Sequence, residues 1–247
     1  MEVFVIAGKL GCERAVSLGA IAVVVDALRA SATITVLLEK GVKKVFVTNE
    51  VDQAFSIASK IPNAILVGER NNIKIPGFHY GNTPSLLWKL PDSELKGRSV
   101  VFTSTSGARR INACKGATRI LIGTSVNASS TAKLCARLAK SFKKPVVIIP
   151  ACNFKNENEV SEEDMAAALE IAKRTKLPLK GIIPEFGTKR GLQEVFFSCK
   201  HGKELVSQGF KEDVEFCSKI DTCSKVGVVI DFFQNAAVLT SYGIIET

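Results

Sequence analysis

The chain predicts an α/β protein, a three-layer α/β/α arrangement around a mainly parallel sheet. Three observations point there. Apolar runs rich in valine and isoleucine alternate with amphipathic, helix-like runs along most of the sequence. Those apolar runs are near-continuous rather than alternating with polar residues, as expected of strands covered on both faces. Finally, 46% of the 247 residues are apolar, ample for one large core in a chain of this length.

The elements follow in order. Ile21–Val25 (IAVVV) reads as a buried strand, and residues 32–40 as the helix after it. The β-branched run at 44–48 is a second strand, 51–60 a helix and 64–67 a third strand. A long polar loop at 68–84 interrupts the alternation. Residues 98–103 then read as a strand, with a helix from about Ala108 and a further strand at 118–122. A helix at 129–141, a strand at 145–150 and a helix over Glu162–Thr175 complete the regular part. Residues 182–225 are richer in charge and mostly helical. A strand at 226–230 and an edge hairpin at 236–243 close the chain. No Gly-, Pro- or Ser-rich linker divides it, so the expectation is one domain over 1–247, with 176–225 the candidate for a small helical sub-lobe.

Composition excludes several classes. The longest apolar runs are far shorter than the ~20 residues of a membrane span, and the opening MEVFVIAGKLGCERAV lacks the pattern of a secretion signal. A cytoplasmic protein is expected. Lys and Arg exceed Asp and Glu by 33 to 24, a formal charge of +9, which favours anionic partners. The basic residues are dispersed, and with two Tyr and one Trp base-stacking platforms are scarce. A small anionic substrate is therefore favoured over nucleic acid. Seven cysteines form no CxxC pair and there are two histidines, which leaves no zinc-site spacing and implies buried, reduced thiols.

Chemistry concentrates at strand ends. Asp26-Ala27-Leu28-Arg29-Ala30-Ser31-Ala32-Thr33, then Thr103-Ser104-Thr105-Ser106-Gly107 before Arg109, then Gly123 to Asn127 each precede a helix. Hydroxyls and amides at helix N-termini favour an anion, although each loop alone is equally an ordinary helix cap. Their repetition, with Arg29 and Arg109, resembles a cage for phosphate or carboxylate. The loop GERNNIKIPGFHYGNTP carries Glu69, Arg70, Lys74, His79 and Asn82, and loops of this length are binding loops or solvated surface in equal measure. Ser161 and Asp164 fit a capping box. Glu163 or Asp164 alternatively serves as a Mg²⁺ ligand or general base, because Mg²⁺ takes one or two carboxylates plus water and phosphate oxygens. His201 reads as helix surface. No GxGxxG, GxxxxGK[ST] or DxD after a strand occurs, and no cysteine precedes an arginine at phosphatase-loop spacing, so dinucleotide, P-loop and cysteine-phosphatase chemistries lose their support.

The stretches VVVDALRASATITVLLEKG, GERNNIKIPGFHYGNTP, VVFTSTSGARRI, GTSVNASSTA and EEDMAAALEIA occur in that order. Together, and with HGKELVSQGFKEDVEFCSKID, they resemble the 2-phosphosulfolactate phosphatase (ComB) family over nearly the whole chain. The resemblance implies a ComB-like fold and a Mg²⁺-dependent phosphatase hydrolysing (2R)-2-phospho-3-sulfolactate to 3-sulfolactate and phosphate, as in coenzyme M biosynthesis. Asp26, Arg29, Thr33, Glu69, Arg70, Gly81, Asn82, Pro84, Thr103, Gly107, Asn127, Glu163 and Asp164 match the family pattern. Departures fall at Asn72, Thr83, Ser106 and Ala108, where the family usually carries Gly, Ser, Asn and Thr.

On this reading Asp26, Arg29, Thr33 and Glu69 are the catalytic candidates, with Asp26 either metal ligand or nucleophile. Ser31, Arg70, Asn82, Thr103, Thr105, Ser106, Gly107, Arg109 and Asn127 are the substrate- and phosphate-binding candidates. Asp26, Glu69 and Asp164 are the expected Mg²⁺ ligands, with Glu163 an alternative. Arg70, Arg109 and Lys74 are candidates for holding the substrate's second anionic group. The alternatives are a phosphatase of other 2-hydroxy acid phosphates, and a non-enzymatic anion- or nucleic-acid-binding protein. Self-association is left open.

Overall fold

Strands buried on both faces need helices on both sides, and the alternating sequence supplies them. The computed structural model describes residues 1–152, 159, 161–181 and 191–242. In chain order the elements are β1 (Val3–Val5), α1 (Gly8–Ser17), β2 (Ile21–Val25), α2 (Ala30–Glu39), β3 (Lys44–Val47), α3 (Val51–Ala58), β4 (Ile65–Arg70), β5 (Ile73–Lys74) and α4 (Pro84–Lys89). Then come β6 (Ser99–Thr103), α5 (Gly107–Ala113), β7 (Arg119–Ile122), α6 (Ala128–Phe142), β8 (Val146–Pro150), α7 (Glu162–Thr175) and β9 (Leu179–Lys180). Helices α8 (Leu192–Ser198), α9 (Lys200–Ser207) and α10 (Lys211–Cys217) precede the closing pair β10 (Gly227–Phe233) and β11 (Ala236–Ser241).

The strands form one sheet in the order β5-β4-β6-β3-β11-β10-β7-β2-β8-β1-β9. Strands β4, β6 and β3 are parallel to one another, as are β7, β2, β8, β1 and β9. Between the two sets lies the antiparallel hairpin β10–β11, itself antiparallel to β7 and to β3. This corrects the expected edge hairpin at 236–243. Strand β11 reads AAVLTS and is buried along its length. A strand dry on both faces belongs at the centre of a sheet, whereas edge strands tend to carry charge or proline.

The hairpin has a geometric consequence. Three successive antiparallel pairings mean that the two parallel sets run in opposite directions. Sheets twist by roughly 20–25° per strand, so the five steps from β6 to β2 accumulate on the order of 100–125°. Asp26, after β2, and Glu69, Thr105 and Ser106, at the ends of β4 and β6, line one cavity despite the opposed strand directions.

Val23, Val24, Leu121 and Ile148 of the sheet share a hydrophobic cluster with Val195, Phe196, Leu205, Val214 and Phe216 of α8, α9 and α10. The charge-rich helical stretch therefore packs on the common core. All seven cysteines are buried and free. Among the described residues no helix is long and apolar enough to cross a membrane.

Candidate active site

Strand β2 ends at Val25, and the next residue turns the chain into α2. Asp26 Oδ1 accepts from Ala30 N (3.1 Å), and Ser31 Oγ accepts from Asp26 N (2.9 Å). Asp26 thus caps the helix with one carboxylate oxygen, while no donor among the described residues bonds its Oδ2. Gly107, at the start of α5, is the close neighbour on that side. A Cβ there would lie 2.7 Å from Asp26 Oδ2 and 2.7 Å from the Ala30 Cβ.

The other parallel set contributes from β4 and β6. Glu69, near the end of β4, accepts from Thr105 N (2.8 Å) through Oε1 and from Asn72 N (2.8 Å) through Oε2. One buried carboxylate therefore shapes both its own hairpin and the loop after β6. Ser104 Oγ accepts from Ala108 N (3.1 Å), capping α5.

Helix α7 brings in the next acids. The expected capping box at its start does not form, because the Ser161 side chain makes no cap hydrogen bond. Asp164 instead reaches across the sheet edge. Its Oδ1 accepts from Ala27 N (2.7 Å) and its Oδ2 from Cys152 N (3.0 Å). Two strand-end loops with unpaired amides outcompete a cap on its own helix. Glu163 faces His201 of α9, Oε1 to Nδ1 3.4 Å. His201 is thus part of the site rather than helix surface, a placement its charge-rich surroundings did not signal.

These groups line a cavity of about 420 Å³ together with Leu28, Arg29, Asn82, Ser106, Cys199 and Lys200. Burial, with repulsion from Glu69 and Glu163, raises the Asp26 pKa. Burial, then Asp26 and Glu163, pushes Asp164 well above the ordinary aspartate value. Burial opposes protonation of His201, but Glu163 and Asp26 outweigh it and hold its pKa up. The Cys152 and Cys199 thiols are pushed by burial to about 12, so neither is a ready nucleophile at neutral pH. Asn82 is 4% exposed and its Oδ1 finds no partner among the described residues.

The sequence candidates divide clearly. Asp26, Arg29, Glu69, Asn82, Thr105, Ser106, Glu163 and Asp164 line the cavity. Ser31, Thr103 and Gly107 support it from behind, Thr103 Oγ1 accepting from Arg70 (2.9 Å). Arg70 spends its guanidinium on Thr103, the Asn49 carbonyl and the Glu69 carbonyl. Thr33 is fully buried in α2, its hydroxyl without a partner among the described residues, and does not line the cavity. Arg109 pairs with Glu50 (3.1 Å) and borders a separate hollow with Lys115 and Phe232. Asn127 lies elsewhere too. It closes a capping box with Thr124, and its Nδ2 donates to the Lys225 carbonyl (3.0 Å). The protein's own 217–225 segment fills that third loop, with Cys223 N bonded to the Val126 carbonyl (2.8 Å) and Ser125 Oγ to that of Cys217.

A crevice at strand carboxyl ends, walled by carboxylates, hydroxyls and a buried arginine, is a site of the α/β enzyme type. The family model described as 2-phosphosulpholactate phosphatase matches residues 11–231, and the chain belongs to that family. The similarity extends to named proteins. The chain is 32% identical to a probable 2-phosphosulfolactate phosphatase of Carboxydothermus hydrogenoformans, over 81% of this chain and 82% of the relative. It is 31% identical to the 2-phosphosulfolactate phosphatase of Methanocaldococcus jannaschii, over 85% and 89% of the two chains. The resemblance read from ordered motifs is therefore correct at the level of the family.

Proposed function

We propose that the chain hydrolyses the phosphate monoester of a 2-hydroxy acid, with 2-phospho-3-sulfolactate as substrate and a role of the coenzyme M biosynthetic type. The observation that carries this reading is the convergence of Asp26, Glu69, Asp164 and Arg29 on one buried crevice. In the reaction, water adds to phosphorus, the ester P–O bond breaks, and the departing 2-oxygen takes a proton. Arg29, with Ser106, faces the charge that grows on the phosphoryl oxygens, while the Thr105 hydroxyl donates to Glu69 Oε1 (3.1 Å). Asn82 offers an unused acceptor for a substrate or water proton. Lys200, which pairs with Glu159 (2.8 Å), and His201 line the cavity beside Arg29, whereas Arg70, Arg109 and Lys74 do not; these two are the groups to meet the second anionic group.

The charge of the crevice supports a resident divalent cation. Carboxylates outnumber cationic groups in its lining, and Asp26 and Asp164 repel each other, an environment that rejects a doubly anionic substrate unless positive charge is added. Among the described residues no three His, Cys, Asp or Glu side chains form a metal centre by themselves. Mg²⁺ fits this donor set because it needs one or two carboxylates, the rest of its shell being water and phosphate oxygens. Asp26, with its open Oδ2, and Glu69 or Asp164 would hold it. When bound, the ion supplies Lewis-acid polarisation of the phosphoryl group.

Phosphate release from phosphosulfolactate, phospholactate and phosphoglycerate tests the proposal, with Mg²⁺, with EDTA and by Asp26→Asn. Turnover favouring phosphosulfolactate, lost in EDTA and in the variant, is expected. Activity surviving both treatments removes the proposed site.

A further inference from the structure

We propose that Asp213 is a positioning residue of the phosphoryl site, aiming the Arg29 guanidinium into the crevice through one buried ion pair. The proposal rests on reading that crevice as a phosphate site. Arg29 Nη1 donates to Asp213 Oδ2 at 2.9 Å, and the two side chains are 1% and 2% exposed. The second oxygen of Asp213 is fixed as well. Its Oδ1 accepts from Ser85 N (3.0 Å) and from Ser85 Oγ (2.6 Å), so the carboxylate cannot turn.

Two further contacts complete the clamp. The Phe210 ring centroid lies 4.3 Å from the Arg29 guanidinium carbon, and Arg29 Nη2 donates to the Asn72 carbonyl at 3.3 Å. A planar cation held by one face and two edge contacts has lost its torsional freedom. Its remaining N–H groups meet no acceptor among the described residues, yet Arg29 lines the cavity.

The pairing has a physical reason. Arginine stays protonated at any physiological pH, and an unpaired buried charge is strongly unfavourable. Asp213 neutralises Arg29 before substrate binds but covers one edge, leaving other donors of the fork for phosphoryl oxygens. The holders lie on α4 and at α10, so helices remote from β2 in sequence aim a residue of the β2 loop. The competing explanation is that the ion pair merely docks α10 onto the sheet.

Orthovanadate, whose five-coordinate form mimics the phosphoryl transition state, and inorganic phosphate separate the two explanations. Their affinities are measured by calorimetry with Mg²⁺ present. The proteins are the full chain, Asp213→Asn, Arg29→Lys and the double variant. A misaimed guanidinium is felt most where charge builds up. Asp213→Asn should therefore weaken vanadate on the order of 30-fold and phosphate less than about threefold. In the Arg29→Lys background both effects should fall below about threefold, the non-additivity of coupled residues. Equal weakening of both anions, or the same loss in both backgrounds, overturns the proposal. Should Asp213→Asn not fold, Ser85→Ala carries the same comparison at smaller size, and equal behaviour in the two backgrounds again overturns it. A wild type that binds vanadate but leaves phosphosulfolactate intact removes the substrate reading alone. A wild type that binds neither anion overturns both.

Discussion

Asp26 is kept at a cost that pH can expose. Its raised pKa means that the folded chain holds this proton more tightly than the unfolded chain does. Stability from this group is thus full below the ordinary aspartate range and is lost as pH rises through the folded pKa. Asp26→Asn removes the cost of the ionised form. In metal-free buffer its melting temperature near pH 8 should exceed the wild type's by about 2–4 °C per kcal/mol relieved. The gap should close as pH falls through and below the ordinary aspartate range, where folded and unfolded chains both hold the proton. Fluorimetric melts across that range check the sign, and equal melting at high pH would refute it. Gly107 poses a different constraint. An alanine methyl would sit 2.7 Å from Asp26 Oδ2, so Gly107→Ala must push the carboxylate or α5 aside. An ångström of misplacement costs catalysis on the order of 10²-fold. Steady-state assays should find that loss mainly in kcat, with the fold intact by circular dichroism.

Among the elements, the β10–β11 hairpin is the least expected and the most consequential. Leu239 on β11 is fully buried and pairs with Val45 and Val229. Leu239→Ala should cost about 2–5 kcal/mol in urea denaturation, as for other core truncations. Ile73→Ala on the exposed edge strand β5 should cost less than about 0.5 kcal/mol. Similar costs for the two would contradict the central placement. The sequence shows why one was legible and the other was not. Continuous Val and Ile mark a strand as doubly covered, but they do not say which strands become neighbours. Asp26, Glu69 and Asp164 stood out because each borders a strand or helix where a carboxylate needs a reason. Asp164 was readable as a residue but not in its bonding, since Ala27 and Cys152 lie 137 and 12 positions from it along the chain. His201 and Asp213 gave no signal. In a charge-rich helical stretch, a polar residue does not announce which face turns inward.

At the scale of the molecule, a basic protein of net charge +9 surrounds a crevice walled by acids. The outer field draws an anion in, and on the proposed reading a cation in the crevice offsets the inner one. Mg²⁺ should therefore stabilise the fold by mass action, about 2.7 kcal/mol at 100 times its Kd. Thermal melts with and without Mg²⁺ measure the gain. Asp26→Asn, more stable than wild type in metal-free buffer, should gain little from Mg²⁺, and an undiminished gain would place the ion elsewhere. The central hairpin adds a temporal dimension. During synthesis β10 and β11 emerge after every strand they join, so β3 and β7 wait with their bonding edges open. Until the hairpin slots between them the two parallel sets share no strand pairing, and only helices such as α5, packed against β2 and α2, link the walls of the crevice. A nascent chain of this protein thus carries two unpaired strand edges until its last strands emerge.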